Sequence, residues 1–218
     1  MPAYRCFHIV KRVALIITSC HREIKHLNFA FCIYQKIMKW ICRLYLKLIG
    51  WNIESTLDPS IKKCVLVAAP HTSNYDYPIA LATLYAYGVK VRFLGKDSLF
   101  KFPLGILMRA TGGIPVDRSK HTNMVEAMIT MFQQNEELIL MIPAEGTRSY
   151  VKEWKSGFYH TALGAKVPIV LGYLDYGKKV AGFGDLFYPT GDYQKDLAKI
   201  QNFYRQFTAC HPHKSSLN

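Results

Sequence analysis

Residues 70–76 read PHTSNYD, directly after the apolar run CVLVAA. If a helix starts around 72–76, His71 and Asp76 face each other across its first turn. The carboxylate would then hold one imidazole nitrogen and raise the basicity of the ring, leaving the other nitrogen to take a proton. That arrangement suits a general base acting on a hydroxyl. The same two residues also suit plain structural duties: a histidine capping a backbone group at a strand end, and an aspartate at a helix start. No serine sits in a GxSxG elbow, and the nearness of Ser73 to His71 in sequence fixes no geometry. A His/Asp pair without a covalent nucleophile fits direct attack by a substrate hydroxyl on an already activated acyl group, such as a thioester.

Two further polar clusters follow apolar runs: Asp117-Arg118 after GGIPV, and Glu145-Gly146-Thr147-Arg148-Ser149 after LILMIPA. The second offers a glycine for close backbone approach, a hydroxyl, and a guanidinium able to grip a phosphate bidentately. Arg118 and Lys96 can converge on the same anion. Alone, each also reads as a solvated surface charge, and Glu145–Arg148 as a turn holding an ion pair.

The elements that must position these groups alternate. Strands are expected at Cys64–Ala69, Val89–Leu94, Gly113–Val116, Leu138–Ile142 and Val167–Tyr173, with Lys179–Phe183 pairing to the last. Helices are expected at Asp76–Tyr87, Leu99–Ala110 (broken early by Pro103), Thr122–Gln134, Phe158–Ala165 and onward from Asp192. In the third of these helices Met124, Ala127, Met128 and Met131 share one side. This pattern predicts an α/β sandwich over a mostly parallel sheet. In such folds sites form beyond the carboxyl ends of strands, where all three polar clusters fall.

With 28 basic and 15 acidic residues the net charge is +13, which points to an anionic partner. Half the residues are apolar, so the chain is not of a disordered composition. Its six cysteines form no CxxC pair and no zinc-like spacing, and they read as free thiols. No uncharged apolar run is long enough for a simple membrane span. Residues 13–20, VALIITSC, only faintly resemble a signal peptide.

Residues 1–37 hold six basic residues, one acidic residue and no clean period. They read either as an extension upstream of a start at Met38 or as an amphipathic anchor. From Lys39 to Ile49 the pattern is helical. Lys39, Arg43 and Lys47 form a basic stripe beside the apolar Trp40, Ile41, Leu44, Tyr45, Leu48 and Ile49, with tryptophans near both ends and Gly50 as a stop. This is the make-up of a membrane-interface helix, which is the reading expected here, with a helix packed on its own core as the alternative. The expected organisation is an extension at 1–37, a docking segment at 38–58, a catalytic domain at 59–210 and a tail at 211–218.

Taken together, four blocks resemble the glycerolipid acyltransferases typified by 1-acylglycerol-3-phosphate acyltransferase. The family's H-x4-D is His71 to Asp76, and its G-x-x-[IF]-[IV]-x-R is GGIPVDR at 112–118. Its P-E-G-T-R-S is PAEGTRS at 143–149, and its apolar V-P-[IV] is Val167-Pro168-Ile169. Order and spacing match, and the resemblance runs from about residue 39 to 208. It implies His71 as general base and Asp76 as its orienting partner. It implies that Arg118, Glu145, Gly146, Thr147 and Arg148 shape the acceptor site, with Lys96 a further phosphate contact. The fourth block would be structural or line the acyl path. No metal or bound cofactor is expected; acyl-CoA or acyl-carrier protein is the cosubstrate. Pro70 replaces the usual Asn, Ala144 separates the Pro and Glu of the third block, and Pro115 interrupts the strand of the second.

The function expected is transfer of a fatty acyl chain to a lysoglycerolipid, with 1-acylglycerol-3-phosphate as acceptor, at an anionic membrane surface on its cytoplasmic face. A thioesterase or lipid-ester hydrolase using the same pair is an alternative. So is a basic, non-enzymatic membrane-binding module. Nucleic acid is not an expected partner, because no nucleic-acid-binding motif is present.

Overall fold

The computed structural model describes residues 33, 35–116 and 124–217. The chain divides into two units, 1–41 and 42–218. In the first, residues 35–41 are helical, and Trp40 and Ile41 are exposed. The second opens with helix α1 over residues 42–48, where Cys42 and Leu46, one turn apart, are buried. Arg43, Leu44, Lys47 and Leu48 face solvent, so basic and apolar groups share the outer side. The Gly50 N–H donates to the Lys47 carbonyl and the Trp51 N–H to that of Leu46, which ends the helix where the sequence expects. Trp51 departs from its expected place at a membrane interface. It is buried, edge-on against Tyr176 with ring centroids 5.0 Å apart.

The described residues form a seven-stranded sheet: β1 (Asn52–Ile53), β2 (Lys63–Ala68), β3 (Arg92–Lys96), β4 (Gly113–Val116), β5 (Leu138–Pro143), β6 (Ile169–Asp175) and β7 (Val180–Phe187). Their order is β1-β7-β6-β2-β5-β3-β4, and only the β6–β7 pair is antiparallel. The central strands are continuously apolar because both faces are covered. Val65, Val67, Leu138, Leu140, Ile169 and Leu171 pack against α4 (Met124–Gln134), α5 (Gly157–Ala165) and α6 (Tyr193–Tyr204) through Met128, Phe158, Tyr159 and Ile200. The alternate residues Cys64, Leu66 and Val170 meet Leu84 of α2 (Asp76–Tyr87). Phe93 meets Met108 of α3 (Leu104–Ala110) and Phe100 on that same side of the sheet. Tyr204 of α6 is buried, and its hydroxyl lies 3.0 Å from the Val67 carbonyl and 3.1 Å from that of Gly172. It thereby braces the ends of β2 and β6 that carry the site.

The predicted helix at Asp76–Tyr87 has those bounds. Several expectations need correction. β3 starts at Arg92 rather than Val89, because the Val89 N–H goes back to Leu84 to close α2. Pro115 does not interrupt β4. The strand lies at the sheet edge, where a missing N–H is tolerated. On α4 the buried positions are Met128 and Phe132, while Met124 and Ala127 are exposed. Residues 122 and 123 lie outside the described residues. β1, within the expected docking segment 38–58, pairs with β7, so the sheet takes in chain before residue 59. The expected tail is docked as well: Ser216 Oγ accepts the Trp154 indole N–H, and Leu217 packs on the core.

A single 3₁₀ turn, Asp97–Phe100, joins β3 to α3. Gly105 sits so close beneath it that a Cβ would lie 1.9 Å from the Phe100 carbonyl oxygen, whereas a Cβ on Gly157 meets nothing within 4 Å. Gly105→Ala is therefore expected to lower stability by roughly 1–3 kcal/mol through forced backbone shifts. Gly157→Ala should stay within about 0.5 kcal/mol of wild type. Denaturant midpoints measured at constant slope check both.

Candidate active site

β2 ends at Ala68, and the chain turns through residues 69–75 before α2 begins at Asp76. The turn wraps around the Asp76 side chain. His71 Nδ1 lies 3.0 Å from Oδ2, and the same oxygen accepts the backbone N–H groups of Thr72 and Ser73, each at 2.9 Å. The Tyr176 hydroxyl donates to Oδ1 at 2.7 Å. Asp76 is almost wholly buried, and as the first helical residue it meets the positive end of α2. Burial works to raise its pKa. The bonds from His71, Tyr176 and Ser73 outweigh burial and hold the carboxyl below its ordinary value, so it stays ionised.

A ring nitrogen facing an ionised carboxylate carries its proton. Nδ1–H is thus committed to Asp76, and Nε2 is the nitrogen left to exchange a proton. The His71 side chain is a quarter exposed, against 7% for Asp76. The histidine is therefore the accessible member of the pair, and the aspartate is the buried one.

Glu145 follows β5, the parallel neighbour of β2. It is 2% exposed, and its Oε2 accepts the His71 backbone N–H at 2.6 Å. Its Oε1 is buried with no partner among the described residues. Burial pushes the Glu145 pKa up, partly offset by that backbone bond and the nearby His71. Gly146 has φ +68°, a conformation a side chain resists, and turns the chain outward. Thr147 and Arg148 follow at the surface, and Arg148 donates to Asn74 Oδ1 of the turn before α2.

The expected residues thus fall into three groups. His71, Asp76, Glu145 and Arg148 are joined through the turn. Gly146 and Thr147 adjoin them in the same loop. Lys96 is exposed at the carboxyl end of β3, two strands from β2, a sideways separation of roughly 10 Å. Arg118 lies outside the described residues. The sequence reading missed Tyr176, which follows β6 directly. Its only sequence signal is position: β6 neighbours β2, and Tyr176 stands just beyond its carboxyl end. Burial and the carboxylate beside it push the Tyr176 phenol well up, so it remains a donor. The end of the chain also reaches this turn. The Tyr176 N–H donates to the Thr208 carbonyl and the His211 N–H to Thr72 Oγ1. Among the described residues, no helix is long and apolar enough to cross a membrane.

A family model described as Acyltransferase matches residues 52–171. A 1-acyl-sn-glycerol-3-phosphate acyltransferase of Salmonella typhimurium is 35% identical over 109 residues, which cover 47% of this chain and 43% of that protein. The Escherichia coli K12 protein of the same description is 34% identical over 109 residues with the same coverage. The match thus spans less than half the length of these relatives. Among solved structures, the 1-acyl-sn-glycerophosphate (LPA) acyltransferase PlsC from Thermotoga maritima resembles the chain with a TM-score of 0.56 at 16% identity. That likeness covers 79% of this chain and 77% of that one and concerns the fold.

Two outcomes follow from the geometry. Tyr176→Phe keeps the ring against Trp51 and removes the hydroxyl's bond to Asp76, together with its weaker interaction with Cys210. It should lower kcat about tenfold with KM unchanged, as expected for one bond to a charged group. Steady-state kinetics on both proteins separates this from general loosening, which moves both parameters. For Glu145, a raised folded pKa means that ionisation costs stability. The cost appears as pH rises above the ordinary value of 4.5 and is complete above the folded pKa. Glu145→Gln should therefore gain in Tm over wild type as pH rises through that window, with the gain vanishing below it. A pH series of thermal melts checks this.

Proposed function

The chain belongs to the acyltransferase family, and from that premise we propose that it is a membrane-associated glycerolipid O-acyltransferase. It moves a fatty acyl chain from acyl-CoA or acyl-carrier protein to the free hydroxyl of a lysoglycerolipid, 1-acylglycerol-3-phosphate in the first instance. The observation that carries this reading is the His71–Asp76 pair, with Nδ1 held at 3.0 Å by a buried carboxylate.

In this reaction Nε2 of His71 takes the proton of the acceptor hydroxyl as its oxygen attacks the thioester carbonyl carbon. Asp76 stabilises the imidazolium and fixes its orientation without taking the proton. The tetrahedral intermediate collapses, the carbon–sulfur bond breaks, and the leaving thiolate takes the proton back from Nε2. The products are an ester and a free thiol, and the enzyme is regenerated. No covalent acyl-enzyme is required.

Arg148 is the cation bonded to the catalytic turn, and its exposed guanidinium suits the acceptor phosphate. Lys96 stands at the same sheet edge, and Arg118 keeps the phosphate role its place in the second block implies. Glu145 holds the backbone of His71 rather than the substrate. The membrane reading draws support from exposed Arg43, Leu44, Lys47 and Leu48, with Leu48 at 77% exposure.

The test is a panel of lysolipids with labelled acyl-CoA and acyl-carrier protein, read by lipid mass spectrometry. Wild type is expected to acylate lysophosphatidate, and His71→Ala to lose about 10²–10⁴-fold in kcat/KM. Equal turnover by the two proteins would overturn the mechanism. Free fatty acid released without an acceptor would show a hydrolase instead.

A further inference from the structure

We propose that residues 99–107 form a lipid-contacting surface of their own, seating the carboxyl edge of the sheet on an anionic bilayer independently of residues 39–49. The lipid-acylating reading supplies only the choice of occupant; the surface itself rests on exposure, rigidity and charge.

Within nine residues, Leu99, Phe102, Leu104, Ile106 and Leu107 are all exposed, Phe102 to 86% and Ile106 to 66%. A run of large apolar side chains in water marks an interaction surface. This segment is not loosely packed chain. Phe100, Gly105 and Met108 are buried beneath it, with Phe100 and Met108 against Phe93. Arg109 donates to the carbonyls of Phe100 and Gly105 and lies over the Phe100 ring. The Thr111 and Tyr77 hydroxyls pair at 2.6 Å, tying the end of α3 to α2. At 100° per residue, Ile106 and Leu107 stand on the side of α3 opposite Gly105 and Met108. The core thus grips one side and drives the other outward.

Shape and charge select the occupant. Leu99, Leu104 and Leu107 are about half exposed, while Phe102 and Ile106 protrude from among them, which suits insertion into a broad apolar medium. From Ser98 to Val116 there is no acidic residue and one acid, Asp97, stands just before; against it are three cations, Lys96, Lys101 and Arg109. All three are exposed. Apolar side chains flanked by cations match the interface of an anionic leaflet. The segment leaves the carboxyl end of β3, the same edge from which β2 leads to His71. Seating here would bring the catalytic turn to the level of the headgroups.

Flotation with vesicles of phosphatidylcholine and phosphatidylglycerol tests this on the full chain. The double variant Phe102→Glu, Ile106→Glu should partition at least tenfold more weakly than wild type, with an unchanged melting temperature. Phe102→Leu should bind as wild type does. Binding by the double variant equal to wild type would overturn the proposal. So would a change confined to self-association in sedimentation, which would assign the surface to a second copy. Turnover of a short-chain, monomeric lysophosphatidate by the double variant separates the two readings. Retained turnover with lost flotation supports the surface. Failure of wild type itself to turn over this acceptor would count against the acyltransferase reading and leave the flotation result standing.

Discussion

Asp76 carries an ionised carboxylate into a place with almost no water, and four donors converge on it. Two are backbone N–H groups of the turn before it, one is the His71 ring and one is the Tyr176 phenol. A buried charge with fewer partners would neutralise itself by taking a proton. Here the donors outweigh burial, and the surviving charge dictates which nitrogen of His71 holds a proton. The conformation of the turn, the tautomer of His71 and the start of α2 are thus consequences of one desolvated group.

Glu145 shows the opposite balance one strand position along the same edge. It holds the His71 backbone through one oxygen and leaves the other unpartnered in the described structure. Burial therefore wins and its pKa rises. A neutral residue would be easier to bury, so the acid costs stability at the point where it holds the histidine backbone. Tyr204, bonded to the Val67 and Gly172 carbonyls, supplies rigidity to the same ends of β2 and β6.

Much of this was legible in the sequence where the signal is local. Strands buried on both faces read as unbroken apolar runs, and helix α2 has the bounds its acid and glycine predict. Polar residues just beyond those runs marked the edge at which His71, Asp76 and Glu145 meet. What sequence could not supply were contacts between distant segments. Tyr176 lies 100 positions from Asp76, and only the adjacency of β6 and β2 brings it there. Trp51 was misread for a related reason. An aromatic beside a basic helix looks the same whether it meets lipid or, as here, a tyrosine ring. Pro115 was misread because whether a strand lies at an edge is a property of the whole sheet.

Asp76 fixes His71 with Nδ1 protonated and Nε2 free to accept a proton. Heteronuclear NMR of the imidazole nitrogens, on protein held within the pH range of turnover, tests this most directly. The expected result is a His71 signal with the proton on Nδ1, hydrogen-bonded, and a bare Nε2, and loss of that preference in Asp76→Asn. A proton residing on Nε2 in the wild type, or a tautomer unchanged by Asp76→Asn, would contradict it.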